Sequence, residues 1–329
     1  MRCLQTIFRA NEDSRRHVRG LPGALSGFAK AWVARSSAAL GTLVLVGCAT
    51  GVPSDPQPDG TETLSATAFV SPLPAPSPSA SSAPRYEEVE FGAEGGPSLR
   101  GRVWSEGRIG VLLAHGFSQG SAQDDWDASL SGNLSFAEDV AGLGYGVLTF
   151  DFRGFCDRDG CSEGSIELAE NWRDIAPAVE LLRSRGSERI FLIGASMGGI
   201  ATFRAADEAE IDLAGIVSLA TPQFPSIYYE GEPPENDVTP QRLQRIEAPK
   251  LFVAGASDLQ LPAEAPLRPG VKSVSFAEDA RSMFEASGEP SRLEIVDSDA
   301  HGSALLVIAV HDGAAHTREL IIAFIDEHG

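Results

Sequence analysis

The chain has 329 residues, 43% of them hydrophobic and 22% charged, a balance that supplies a sizeable core and excludes a wholly disordered polymer. Asp and Glu outnumber Lys and Arg by 46 to 26, a formal net charge of −20. A surface this acidic repels phosphate backbones, which argues against nucleic acid as a partner, and no apolar run reaches the roughly 20 residues of a spanning helix.

Residues 1–47 carry seven basic side chains against Glu12 and Asp13, followed by a short apolar stretch at 38–47. That is the charge and length pattern of a secretory signal. The stretch ends Leu45-Val46-Gly47-Cys48, which resembles a bacterial lipobox, so Cys48 is expected to be lipidated and to become the first residue after cleavage. Loss of 1–47 moves the formal charge from −20 to −25, so the acidity belongs to the exported part. The segment 48–85 is rich in Pro and Ser and poor in charge. It cannot bury enough apolar surface to fold and is expected to be an extended tether. These readings predict an extracytoplasmic protein anchored by lipid to a bacterial membrane, or secreted if the lipobox is not used.

From 86 to 329 short β-rich runs alternate with helical stretches, the pattern of one α/β domain with a mostly parallel sheet and helices on both faces. Eight strands are predicted at 86–91, 99–104, 109–114, 147–152, 189–193, 215–219, 251–254 and 292–296. Helices are predicted at 135–143, 166–185, 197–208, 274–286 and 317–327. The spacing of Ile175, Val179 and Leu182 gives the second helix an apolar face. No helix separates the first two strands, so they should form an antiparallel hairpin at the sheet edge. Cys156 and Cys161 bracket a polar loop. In an oxidising compartment they read as a local disulfide, and two thiols without nearby histidines fall short of a four-ligand metal site.

The string G-x-S-x-G occurs three times, centred on Ser118, Ser162 and Ser196. A nucleophile elbow needs a strand before the serine and a helix after it, because the tight turn exposes the hydroxyl and aims backbone N–H groups at the reacting carbonyl. Only Ser196 has both. A serine hydroxyl also needs a base and a group that orients the base. Asp258 leaves the apolar run 251–254 and His301 follows the last strand, both at the carboxyl ends of strands where open α/β sheets place their sites. Asp297 and Asp299 are read as possible caps of the following segment, and His311, His316 and His328 as solvated.

The ordered motifs His115-Gly116-Phe117, Asp151-Phe152-Arg153-Gly154, Gly194-Ala195-Ser196-Met197-Gly198-Gly199, Gly255-Ala256-Ser257-Asp258 and His301-Gly302 resemble those of the α/β-hydrolase superfamily. The resemblance implies an oxyanion hole from the backbone N–H groups of Phe117 and Met197. It also implies structural roles for His115, Asp151, Arg153 and Gly154. The segment 223–249 is too short for a large cap domain, so the cleft should be open or partly lidded, with Leu261, Pro262 and Leu267 placed to line or cover the acyl side. The expected activity is a serine esterase acting on small-molecule or lipid-like carboxylic esters, with no cofactor and no metal. An amidase, peptidase or thioesterase uses the same triad, and a binding lipoprotein that keeps only the fold is the alternative from another class. The sequence leaves the oligomeric state open.

Overall fold

The computed structural model describes residues 85–117, 123–127, 135–263 and 265–329. The predicted signal, Cys48, the tether up to residue 84 and Ser118 lie outside the described residues. Among the described residues the elements run β1 (Glu87–Phe91), β2 (Leu99–Ser105), β3 (Ile109–Ala114), α1 (Phe136–Gly142), β4 (Gly146–Phe150), α2 (Ile175–Ser184), β5 (Arg189–Ala195), α3 (Met197–Glu208), β6 (Gly215–Leu219), α4 (Pro225–Tyr228), α5 (Pro240–Arg245), β7 (Lys250–Gly255), β8 (Leu259–Gln260), β9 (Val274–Ser275), α6 (Phe276–Ala286), β10 (Ser291–Val296) and α7 (Ala314–His328).

Eight strands form one sheet in the order β1-β2-β4-β3-β5-β6-β7-β10, and β8 with β9 makes a separate small ribbon. β1 and β2 pair antiparallel, as the missing helix between them predicts, and β2 is antiparallel to β4 as well. All other neighbours in the large sheet are parallel. β4, β6 and β7 are buried at every position, which requires cover on both faces. Phe191 of β5 meets Phe324 of α7, and Phe252 of β7 stacks on Phe203 of α3. Phe252 lies in register with Gly194, three residues beyond Phe191. With a side-chain period of two, that odd offset puts α3 and α7 on opposite faces.

Helix starts follow local chemistry. Ser135 caps α1 and Ser275 caps α6, each accepting the N–H of a glutamate three residues on, Glu138 and Glu278, which satisfies donors the helix leaves open. The predicted helix at 166–185 is shorter than expected: a 3-10 turn at Asn171–Asp174 leads into α2, which begins at Ile175. Pro177 explains the late start, because proline lacks an N–H and is tolerated only in a first turn. The predicted apolar face holds, with Ile175, Val179 and Leu182 all buried. The segment 223–249 folds into α4, a 3-10 turn at Pro234–Asn236 and α5, not into a cap domain.

The register also aligns strand ends. Ala114 lies beside Gly194, Ala195 beside Leu219, Leu219 beside Val253, and Gly255 beside Val296. The carboxyl ends of β3, β5, β6, β7 and β10 therefore share one edge of the sheet.

Candidate active site

β5 delivers Ser196 at that edge. Its backbone is held at φ 51°, ψ −113°, a left-handed conformation that is costly for a residue with a Cβ and persists only where the surroundings enforce it. The enforcement is visible in the neighbours. Ser196 N–H donates to Leu219 O at 2.8 Å, tying the turn to the end of β6. A Cβ on Gly194 would lie 2.6 Å from Gly198 O, and one on Gly198 would lie 2.2 Å from Ala114 O. The chain crosses itself so closely, and α3 starts so near the end of β3, that both positions require glycine.

The loops after β7 and β10 are stitched together by Ala256 N–H to Val296 O at 2.8 Å and Ser257 N–H to Ser298 O at 3.0 Å. This brings Asp258 and His301, 43 residues apart, into contact: His301 Nδ1 and Asp258 Oδ2 are 2.7 Å apart. Asp258 is buried, whereas Asp297 and Asp299 are exposed and neither caps a helix. The His301 ring also rests on Phe276, with ring centres 4.3 Å apart. Packing and hydrogen bonding together fix the imidazole. Its neighbour Gly302 approaches the elbow, since a Cβ there would lie 3.9 Å from the Ser196 Cβ, and a Cβ on Gly116 would lie 3.6 Å from the same atom. The three loops that carry Ser196, His301 and Phe117 thus meet at one point.

Ser196 opens into a cleft formed by Phe117, Leu168, Met197, Ile200, Pro222, Pro225, Tyr229, Glu232 and Asn236. The expected oxyanion-hole residues Phe117 and Met197 both line it. Leu261, Pro262 and Leu267 are not among its lining residues: Leu261 is 46% exposed, and Leu267 forms a backbone bridge with the wall residue Tyr229. The segment 223–249 supplies the wall in their place, because α4 and the turn at Pro234–Asn236 fold back over the strand ends. Glu232 and Asn236 were not foreseen. Short proline-led turns carry no periodicity from which to place them.

The remaining motif residues do structural work. His115 is fully buried, with Nδ1 2.6 Å from Gly116 O and Nε2 3.1 Å from the Phe152 N–H. The Phe152 amide can only donate, so Nε2 accepts and the proton sits on Nδ1. Burial pushes this imidazole down to about 4, which keeps it neutral, and the rings of Phe152 and Phe155 pack on it. Arg153 forks onto Asp174 at 2.6 and 3.0 Å, while Gly154 turns at φ 73°. Ser162 donates to Asp151 O at 2.7 Å and accepts from Arg100 N–H at 2.9 Å, so its hydroxyl is committed to the loop. Cys156 and Cys161 form the expected disulfide. His316 is exposed as predicted, but His311 is partly buried and bonds Leu305 O at 2.8 Å, and His328 lies against Phe324. Among the described residues no group of three or more His, Cys, Asp or Glu is arranged to hold a metal.

Residues 111–320 match the model of the alpha/beta hydrolase family. No curated protein matches the sequence. Solved structures of similar architecture include an esterase of Pyrococcus furiosus, at TM-score 0.55 and 19% identity over 74% of this chain and 91% of that one. A Xanthomonas campestris serine hydrolase described as lacking a lid aligns at TM-score 0.50 and 17% identity, covering 74% and 95% of the two chains. An alpha/beta hydrolase from Penicillium aligns at TM-score 0.51 and 19% identity, covering 74% and 98%.

Proposed function

The chain belongs to the alpha/beta hydrolase family, and on that footing we propose that it is a serine esterase that hydrolyses carboxylic esters through an acyl-enzyme. The observation that carries this reading is the strained elbow of Ser196 meeting a histidine already oriented by a buried carboxylate, His301 and Asp258 at 2.7 Å. Ser196 Oγ attacks the ester carbonyl while His301 Nε2 takes its proton. Asp258 holds the Nδ1 proton and stabilises the imidazolium, and the Phe117 and Met197 N–H groups receive the oxyanion. His301 returns the proton to the departing alcohol, and water repeats the sequence on the acyl-enzyme. The apolar cleft beside Ser196 suits a small ester, and neighbours described as an esterase and as a lidless serine hydrolase agree with it.

A fluorophosphonate probe is expected to label Ser196 in the folded protein. Ser196→Ala should abolish turnover of p-nitrophenyl acetate, whereas Ser118→Ala and Ser162→Ala should not; equal loss from all three defeats the assignment.

We further propose that the enzyme is exported and tethered through lipid on Cys48. The lipobox-like Leu45-Val46-Gly47-Cys48 supports this, as does the Cys156–Cys161 disulfide, since such bonds persist mainly in oxidising compartments. Radiolabelled palmitate should enter the intact protein and not Cys48→Ser. Labelling of both would place the lipid elsewhere.

A further inference from the structure

We propose that Glu232 makes this cleft selective for esters that carry an ammonium group on the part of the substrate that enters it. The inference rests on the esterase reading and names its substrate class.

Glu232 is 9% exposed and lines the same cleft as Ser196, among walls that are otherwise mainly apolar. A desolvated carboxylate is costly unless it is paired. Among the described residues, Glu232 accepts one side-chain hydrogen bond, from Asn236 Nδ2 to Oε2 at 2.8 Å, and has no cationic partner. Burial pushes its pKa up, with the charge of Asp237 adding in the same direction. Among the described residues a cation is linked to it through an amide: Arg204 Nη1 donates to Asn236 Oδ1 at 2.9 Å. That arginine is already engaged by Glu208, 2.9 Å from its Nε, and lies over the Trp172 ring.

This arrangement is built. The Arg204 bond fixes which end of the Asn236 amide faces Glu232, so the carboxylate is held on one oxygen by a neutral donor, and the described residues that line the cleft include no Lys or Arg. A substrate cation would supply that missing charge in a site already shielded from water, where charged hydrogen bonds are worth most. The overall acidity of the chain favours the same substrates at long range.

The test is a graded series of ethyl esters of ω-amino acids, each compared with its ω-hydroxy and ω-methyl counterpart of the same length, with kcat/KM measured at pH 7. At the length that spans from Ser196 to Glu232, the ammonium ester is expected to exceed the methyl isostere by about tenfold or more, the worth of a hydrogen bond to a charged group. Glu232→Gln, checked for cooperative melting, should bring that ratio to one or below. Should the variant fail to fold, the wild-type ratio read against pH decides: it should fall as pH drops through the titration of Glu232, whereas a ratio that does not move with pH overturns the proposal. Ratios at or below one for every length, or a hydroxyl ester that equals the ammonium ester, overturn it too. If wild type hydrolyses p-nitrophenyl acetate in those cases, the role of Glu232 fails alone. If wild type hydrolyses neither that ester nor the series, the esterase reading has failed first.

Discussion

Two loops of this molecule carry the same five-residue string and put it to opposite use. In the elbow, Gly194 to Gly198 joins a buried strand to a helix, and the serine is forced into a left-handed conformation at the mouth of a cleft. In the cysteine loop, Gly160 to Gly164 follows no strand, and the hydroxyl of Ser162 links Asp151 O to Arg100 N–H. The difference lies in what surrounds the string. Strand and helix place one serine at a convergence of loops, whereas hydrogen bonds consume the other.

The sharpest way to break that contrast is to remove each hydroxyl. Ser196→Ala should lower kcat on a short ester by about 10⁴-fold or more, while Ser162→Ala should leave it within about twofold and instead lower stability by about 1–3 kcal/mol, through the Arg100 N–H that loses its acceptor. Esterase assays and urea titrations separate the two outcomes. Asp258→Asn should cost about 10⁴-fold in kcat by disturbing the His301 tautomer, with the exposed Asp297→Asn and Asp299→Asn as controls close to wild type. A large loss from either control would move the acid to the other loop.

How far the elbow was readable from sequence, and the cleft was not, follows from the same physics. An apolar run ending in Gly194-Ala195-Ser196-Met197-Gly198-Gly199 announces strand, crossing and helix in one place, because the close approaches at Gly194 and Gly198 leave no choice of residue. Asp258 and His301 were legible as residues delivered by strand ends. The wall residues Glu232 and Asn236 were not, since their positions depend on how α4 and a 3-10 turn fold back across the sheet, a long-range outcome without a local period. Leu261 and Pro262 were misplaced for a related reason: they follow the short β8, which pairs with β9, and both are exposed and not among the residues that line the cleft. Pro177 did hold a usable signal, since it is incompatible with the middle of a helix spanning 166–185.

The buried carboxylates of the two regions sharpen the contrast further. In the cysteine loop Asp157 is balanced by a guanidinium, with Arg102 Nη2 2.6 Å from its Oδ2 and 2.9 Å from Asp159 Oδ2. Removing it by Asp157→Ala takes the main counter-charge from a buried arginine and should cost about 3–5 kcal/mol in urea unfolding. Behind the cleft wall, Asp279 is held by neutral donors, Tyr228 Oη at 2.6 Å and Gln223 N–H at 2.9 Å. Burial, with a smaller push from Glu278, raises it from 3.8 to about 6. Its folded pKa thus lies above its unfolded one, so its contribution to stability is full below pH 3.8 and is lost as pH rises through 6, a loss of about 3 kcal/mol. Unfolding of wild type and Asp279→Asn compared between pH 4 and pH 7 should show that component in wild type alone. A parallel decline in both proteins would assign it to other groups.

The smallest expected effect is the disulfide's. Cys156 and Cys161 are five positions apart, and so short a ring removes little unfolded-state entropy, about 2 kcal/mol at most. The turn inside it is already closed without the bond: Asp157 Oδ1 accepts from Asp159 N–H at 2.8 Å and Gly160 N–H at 3.0 Å, and Asp157 N–H donates to Gly160 O at 2.9 Å. Replacing both cysteines by alanine should therefore lower stability by about 2 kcal/mol or less, and esterase activity should stay within about twofold, because none of the cleft-lining residues comes from this loop. Thermal melts and ester assays with and without reductant measure both. If reduction silenced the enzyme while the fold still melted cooperatively, the cysteine loop would have to act on the elbow through Phe155, which packs against Phe117 at 5.6 Å between ring centres, and the separation between the two loops would fail at that contact.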